Sequence, residues 1–200
     1  MIIEIGAPVR TRDGHEVGHV HRVLVDLDDN SATGIVVLKG QVLARDVLVP
    51  LDFIDHASPD EVLLALDEQE LDQLPDFTFN EVMAPPPALT SVGPYPDGSF
   101  YILVRQRKRL GQHHVDITRD ARVHAIDGDI GPVEQVEVDP ITGELDAFWL
   151  RADGIFGHDM RIPAEWVERA DESGVYLKAS RNEVEMRLGA QSRGVLRQTA

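Results

Sequence analysis

The sequence predicts an all-β protein made of two small β-barrels in tandem, with short helical turns. Three observations predict it: short β-forming runs separated by turn residues, recurrence of that pattern further along the chain, and a proline-rich stretch between the copies. We expect barrel copies over residues 1–79 and 100–188. We also expect a proline-rich linker over residues 80–99 and a flexible C-terminal tail over residues 189–200.

The first copy is a series of short strands and turns. Asp13-Gly14 is a turn signal, because glycine adopts positive φ without a steric penalty. Three valines follow at a spacing of three and then two, which predicts a β-bulge: Val20, Val23 and Val25. The run Gly34–Leu38 is rich in β-forming residues and predicts a buried strand. Val49-Pro50 then ends a strand or places proline on a sheet edge.

The second copy repeats these features in the same order. Asp127-Gly128 supplies the first turn, and the spaced valines recur as Val133, Val136 and Val138. Asp139–Gly143 predicts the next turn, and a helical turn is expected over Ala164–Val167, directly after Pro163. The offset between the copies stays at 113 or 114 residues over five separate segments. Duplication is the best explanation for such a constant offset.

The segment between the copies differs in composition from both of them. It contains Pro85, Pro86 and Pro87, followed by Pro94 and Pro96. Proline fixes φ and removes a backbone donor, so this segment cannot continue a helix or a central strand. It therefore predicts a semi-rigid linker between two acidic modules.

The overall composition excludes several function classes. Acidic residues outnumber basic ones by 35 to 19, and a net charge of −16 argues against direct binding to duplex nucleic acid. Without cysteine, the chain has no disulfide, cysteine nucleophile or thiolate metal site. The first residues lack a signal-peptide pattern, and the apolar runs fall far short of the roughly 18 residues of a membrane helix. We expect a cytoplasmic protein with no membrane insertion and no cofactor.

The turn and core residues of both copies resemble the PRC-barrel family, named for the cytoplasmic domain of the photosynthetic reaction centre H subunit. The family also includes the C-terminal domain of the ribosome-maturation factor RimM. In the first copy the matching positions are Asp13-Gly14, Gly18, Val20, Asp26, Asp46, Val49-Pro50 and Ile54. In the second copy they are Asp127-Gly128, Gly131, Val133, Asp139, Thr142-Gly143, Asp159, Ile162-Pro163 and Val167. Leu71–Phe77 is also similar to a tail common in stand-alone members. The resemblance implies a barrel that binds or steadies another macromolecule.

The sequence offers little that resembles a catalytic or metal-binding motif. It contains no nucleophile elbow, no P-loop and no dinucleotide-binding motif. Asp26–Asn30 resembles the start of an EF-hand loop, but Ser31 stands where that loop needs glycine, so we interpret it as a solvated turn. We interpret three nearby histidines as surface residues of a strand: His15, His19 and His21. We predict no catalytic residue and no metal ligand. A metal-dependent enzyme built on these histidines is the outside alternative.

Four basic residues in a span of five interrupt this acidic background, and we call them the basic segment: Arg105, Arg107, Lys108 and Arg109. They follow an apolar run, which suggests a strand that leaves the core and ends in a basic tip. The tip either grips phosphates or an acidic partner, or it pairs with the chain's own acidic residues and holds the two barrels together. Among the aromatic residues, Trp166 is expected in the core, whereas Trp149 is a further candidate for partner binding.

The sequence therefore predicts a non-catalytic tandem-barrel adaptor or assembly protein that binds another macromolecule, most readily a protein. The alternative is a RimM-like ribosome-associated factor that holds a basic ribosomal protein. Two packings are open, since the barrels either pair within one chain or form a homodimer. The partner-binding residues are expected to be Arg105, Arg107, Lys108, Arg109 and Trp149.

Overall fold

The computed structural model describes residues 1–26, 28–40, 44–83, 103–110, 114–151, 159–171 and 174–195. The fold class is confirmed, because the described chain consists mainly of strands, with two α-helices and two single 3-10 turns. The strands form two sheets of seven strands each and one two-stranded ribbon. The ribbon consists of β8 (Thr78–Met83) and β9 (Leu103–Lys108).

The first sheet is formed mainly by the first half of the chain. Its strands are β2 (Pro8–Arg10), β3 (Glu16–Asp26), β4 (Ser31–Lys39), β5 (Arg45–Pro50), β6 (Ile54–Ala57), β7 (Val62–Leu64) and β10 (His114–Thr118). The order across the sheet is β5-β4-β3-β2-β7-β6, and β10 adds to β3. All pairings are antiparallel except that of β2 with β7.

The second sheet has the same arrangement of strands. Its strands are β1 (Ile2–Glu4), β11 (Arg122–Ala125), β12 (Gly128–Val138), β13 (Leu145–Leu150), β14 (Met160–Pro163), β15 (Val167–Asp171) and β16 (Gly174–Leu177). The order is β14-β13-β12-β11-β16-β15, and β1 adds to β12. The parallel pair β11–β16 stands where β2–β7 stands in the first sheet.

The two halves of the chain exchange a strand with each other. β1 comes from the start of the chain but pairs with β12, with Ile3 opposite Val136. β10 comes from the second half but pairs with β3, with Ile117 opposite Val23. All four of these side chains are fully buried in one continuous apolar core that runs through both sheets. The halves therefore pair within one chain, the first of the two packings that the sequence left open.

A contact between two turns reinforces the exchange. The turn Asp139–Gly143 of the second half lies against the turn that precedes β4. The N–H of Ala32 donates to the carbonyl of Gly143 at 2.9 Å, and the N–H of Leu145 donates to the carbonyl of Asn30 at 2.9 Å. Gly143 has a φ of +75°, a left-handed conformation that favours glycine. The sequence predicted this turn, but its contact with the first half was not foreseen.

Several local predictions are confirmed. The register of β3 shifts between Val20 and Arg22, and that of β12 shifts between Val133 and Gln135, so both predicted bulges exist. A 3-10 turn, Ala164–Trp166, follows Pro163, and a second one, Leu51–Phe53, follows Pro50. Trp166 is buried, as expected for a core residue.

The helices and the linker differ from expectation. Helix α1 (Glu68–Gln73) begins with a capping box in which Asp67 and Glu70 exchange hydrogen bonds of 2.9 Å. Helix α2 (Arg181–Val195) continues past residue 189, where the sequence predicted the flexible tail to begin. Residues 80–83, assigned to the linker, belong to β8, and residues 84–99 lie outside the described residues. The divisions at 79 and 100 stay predictions, although strand exchange now crosses them in both directions.

Candidate interaction surface

The two-stranded ribbon carries the basic segment and is anchored at its base. β8 and β9 are antiparallel, with Thr78 opposite Lys108. The N–H of Arg109 donates to the carbonyl of Phe77 at 2.7 Å, and this continues the ribbon toward the first sheet. Phe77 itself is buried in a small second core with Leu24 and Val36. The ribbon is therefore tied to the outer face of the first sheet.

Three arginines lie on one face of the ribbon, and we call this surface the arginine face: Arg105, Arg107 and Arg109. Side chains alternate between the two faces of a strand, so residues spaced by two share a face. Phe79 and Glu81 lie on the same face, since Phe79 is opposite Arg107 and Glu81 is opposite Arg105. Sequence spacing alone placed these arginines close together, but it could not supply the aromatic ring and the carboxylate of β8.

Each arginine of the face has a different environment. Nη1 of Arg107 lies 3.1 Å from Oε2 of Glu81, and the two side chains are 53% and 44% exposed. The guanidinium carbon of Arg109 lies 4.8 Å from the centroid of the Phe79 ring, and its Nε donates to the carbonyl of Asp76 at 2.8 Å. Arg105 is exposed, and no described residue accepts a hydrogen bond from its guanidinium. Among the described residues of the ribbon, the face thus presents three positive charges and a single carboxylate.

Lys108 lies on the opposite face of the ribbon and is held internally. Its Nζ is 3.1 and 3.2 Å from the two carboxylate oxygens of Asp116, a side chain that is only 2% exposed. Nη1 of Arg22 lies 2.5 Å from Oδ2 of the same carboxylate. The guanidinium of Arg22 also lies 5.6 Å from the Phe77 ring. For Lys108, the geometry favours the interpretation in which the basic segment pairs with the chain's own acids.

Asp116 was not singled out from the sequence. The available signal was a carboxylate between two apolar residues, Val115 and Ile117, in a short β-forming run. A buried carboxylate needs a paired charge, so this position could have suggested basic residues nearby in the fold. Which basic residues supply the pair depends on the exchange of β10 into the first sheet, and the sequence did not predict that exchange.

Trp149 lies on the outer face of the second sheet, far along the chain from the ribbon. Its half-buried indole donates from Nε1 to Oε2 of Glu137 at 3.0 Å, and Nε of Arg161 donates to the same oxygen at 2.7 Å. The hydrogen bond from Arg161, and then that from Trp149, hold the pKa of Glu137 below its usual value, although burial opposes the change. These contacts place Trp149 on a surface separate from the arginine face.

The histidines do not converge. His21 Nδ1 lies 2.8 Å from Oδ1 of Asp46, whereas His15 Nδ1 lies 3.2 Å from Oδ2 of Asp13 in the preceding turn. His19 is exposed. Within the described ranges, no group of three or more histidine, aspartate or glutamate side chains could hold a metal ion. Asp26, the first residue of the EF-hand-like segment, accepts from the N–H of Asp28 at 2.9 Å.

A groove of about 530 Å³ lies where the two halves meet. Its walls come from the start of β4, the 3-10 turn after Pro50 and the turn Asp139–Gly143. Ile141 lines it and is almost fully exposed.

None of the helices in the described part of the chain is both long and apolar enough to cross a membrane.

The comparison with protein families matches one segment within the first half of the chain. Residues 5–69 match the PRC-barrel domain, so the family resemblance seen in the sequence is confirmed there. A PRC-barrel domain is a barrel module of a kind that often mediates protein interactions, which points away from catalysis. No curated protein matches the chain. The second half lies outside the family match, so a second PRC-barrel copy stays a prediction.

Proposed function

We propose that this chain, whose residues 5–69 form a PRC-barrel domain, is a non-catalytic adaptor that holds a partner protein on its arginine face. The second half is, on this proposal, a duplicated copy of the same barrel. The identical strand order of the two sheets supports the duplication. We retain the expectation that the protein acts in the cytoplasm.

The arginine face is the observation that carries the proposal. Arginine is enriched among residues that dominate binding energy at protein interfaces, because its planar guanidinium donates several hydrogen bonds in a fixed geometry. Arg105 and Arg107 are exposed on the ribbon, so a partner can approach them without rearranging the barrels. The stacking of Arg109 on Phe79 fixes one guanidinium in advance, which lowers the entropy lost on binding.

The chemistry of the face favours an acidic segment of the partner. In the described part of the ribbon, the three arginines share their face with a single carboxylate, that of Glu81, although the whole chain has a net charge of −16. Screening over about 8 Å at physiological ionic strength lets a local basic surface act within an acidic protein. The surrounding acidic surface then repels acidic proteins that do not reach the ribbon, which contributes to specificity.

Combining Arg105→Gln, Arg107→Gln and Arg109→Gln is expected to weaken partner binding at least about tenfold, because truncating an interface hot spot typically costs at least about 2 kcal/mol. The measurement is quantitative capture of proteins from the source lysate on the full chain, with and without nuclease. A matched control replaces three other exposed arginines by glutamine: Arg10, Arg12 and Arg169. Both variants change the net charge by the same amount.

Proteins that the control variant retains and the arginine-face variant loses would support the proposal. Equal loss from both variants would contradict it, because the general field of the protein would then be responsible. Unchanged capture with a lowered melting temperature would show that these arginines only stabilise the ribbon. Capture of ribosomal proteins that depends on intact RNA would favour the RimM-like alternative.

A further inference from the structure

The outer edge of the first sheet is covered by the chain itself. After α1, the chain returns along β5, and Asp76 forms an isolated bridge with Val47. The N–H of Leu48 donates to the carbonyl of Pro75 at 3.0 Å, and the N–H of Phe77 donates to the carbonyl of Asp46 at 2.7 Å. These contacts add three residues antiparallel to β5, and the Phe77 ring is buried on the face of the sheet.

The corresponding edge of the second sheet is β14. Arg161 occupies the position of Leu48, because Leu48 is opposite Val36 in β4 and Arg161 is opposite Trp149 in β13. The backbone N–H of Arg161 therefore points outward, as that of Leu48 does. Pro163 stands at the next outward position, as Pro50 does in the first sheet.

This second edge has no covering segment in the described part of the chain. Helix α1 ends after six residues, and the chain then turns back along β5. Helix α2 has fifteen residues, so the chain at the corresponding point continues as a helix and does not form a strand along β14. Among the described residues, nothing pairs with the outward N–H of Arg161 or the carbonyl of Asp159. An unpaired strand edge is a template for another extended segment.

The face beside this edge also differs from its counterpart. In the first sheet, Phe77 rests on Leu24 and Val36. In the second sheet, Trp149 stands at the position of Val36, and its indole remains partly exposed. Glu137 and Arg161 hold the indole in place through the hydrogen bonds described above. A fixed, partly exposed tryptophan beside an open strand edge offers backbone pairing together with a surface for an aromatic side chain.

We propose that the open edge of β14 binds an extended segment of a partner protein, added antiparallel, with an aromatic side chain packed against Trp149. The chain's own segment Pro75–Phe77 on β5 indicates the direction and the type of side chain. This site is separate from the arginine face and does not depend on the function proposed for it.

The test uses the full chain and a synthetic capped peptide with the sequence of residues 72–79. Arg161→Pro removes the outward N–H and is compatible with a strand edge, since Pro163 already occupies the next outward position. It is expected to lower peptide affinity at least about tenfold, because one buried hydrogen bond and its donor are lost. Arg161→Ala loses the same guanidinium contact with Glu137 but keeps the N–H, so it is the matched control against which the loss of affinity in Arg161→Pro is measured. Replacing the phenylalanine of the peptide that corresponds to Phe77 by alanine should also weaken binding.

Amide exchange at Arg161 gives a second measurement. In the free protein, this amide is expected to exchange faster than that of Leu48, and the peptide is expected to slow it. Failure of the peptide to bind, or equal binding by Arg161→Pro and Arg161→Ala, would overturn the proposal. Protection of Arg161 in the free protein would overturn it too. Protection that is independent of protein concentration would show that the chain covers its own edge, and protection that rises with concentration would identify a second copy.

Discussion

Asp116→Asn is expected to lower the free energy of unfolding by about 3 kcal/mol, since removing one partner of a buried ion pair leaves the other charges uncompensated. Asp116 is buried on β10, and its carboxylate forms ion pairs with both Arg22 and Lys108. The expected value is at the lower end of the range for buried pairs, because Arg22 and Lys108 are themselves partly exposed. Urea denaturation of the full chain measures the change.

The matched control for this substitution is Glu81→Gln. It removes the carboxylate that pairs with Arg107, but both side chains are about half exposed. Exposed pairs contribute at most about 1 kcal/mol, so the control is expected to change stability little. If Asp116→Asn destabilised the protein no more than Glu81→Gln does, the Arg22–Asp116–Lys108 network would not be what fastens β10 and β9 to the first sheet.

Ile117→Ala and Ile3→Ala are each expected to lower the free energy of unfolding by about 2–5 kcal/mol. Ile117 lies on β10 within the first sheet, and Ile3 lies on β1 within the second sheet. Both are fully buried in the one core that runs through both sheets, so either cavity is expected to destabilise the whole protein. The unfolding curve of each variant should therefore keep a single transition.

Ile141→Ala is the control for these two variants. Ile141 is 92% exposed in a turn, and surface substitutions of this kind change stability by at most about 0.5 kcal/mol. For each of the three variants taken separately, circular dichroism and tryptophan fluorescence should give the same unfolding midpoint. Two separate transitions, with Ile117→Ala shifting only one of them, would contradict the shared core.

The sequence predicted local structure well because the relevant signals are local. Glycine and proline at turns, and the uneven spacing of Val20, Val23 and Val25, act through backbone conformation and the alternation of side chains within a strand. These signals predicted the bulges and the 3-10 turn after Pro163, and the size and aromatic character of Trp166 predicted its burial. They require no knowledge of which strands become neighbours.

The exchange of β1 and β10 could not be predicted in the same way. An apolar residue such as Ile3 shows that a strand has a buried face, but it does not show which sheet supplies the partner strand. Ile3 is opposite Val136, more than a hundred residues away in the sequence. The burial of Asp116 and the internal role of Lys108 both depend on this long-range arrangement.

The arginine face was only partly predicted. Charge alone identifies the basic segment, and the sequence predicts a single tip formed by its four basic residues. Strand alternation separates Lys108 from Arg105, Arg107 and Arg109, because β9 pairs with β8 and turns Lys108 toward Asp116. The strand that pairs with β9 is β8, which contains residues 78–83. The predicted linker includes four of these residues, so the sequence does not identify β8 as the partner strand of β9.

Cutting the chain between its halves tests the reciprocal strand exchange most directly. A protease recognition sequence inserted after Gly93 allows cleavage between β8 and β9 while both sheets remain intact. The two fragments are expected to stay together in size-exclusion chromatography at the mass of the uncut chain and to separate only in denaturant, because each sheet contains a strand from the other fragment. Two native fragments that separate in buffer, each with its own sheet, would contradict the exchange.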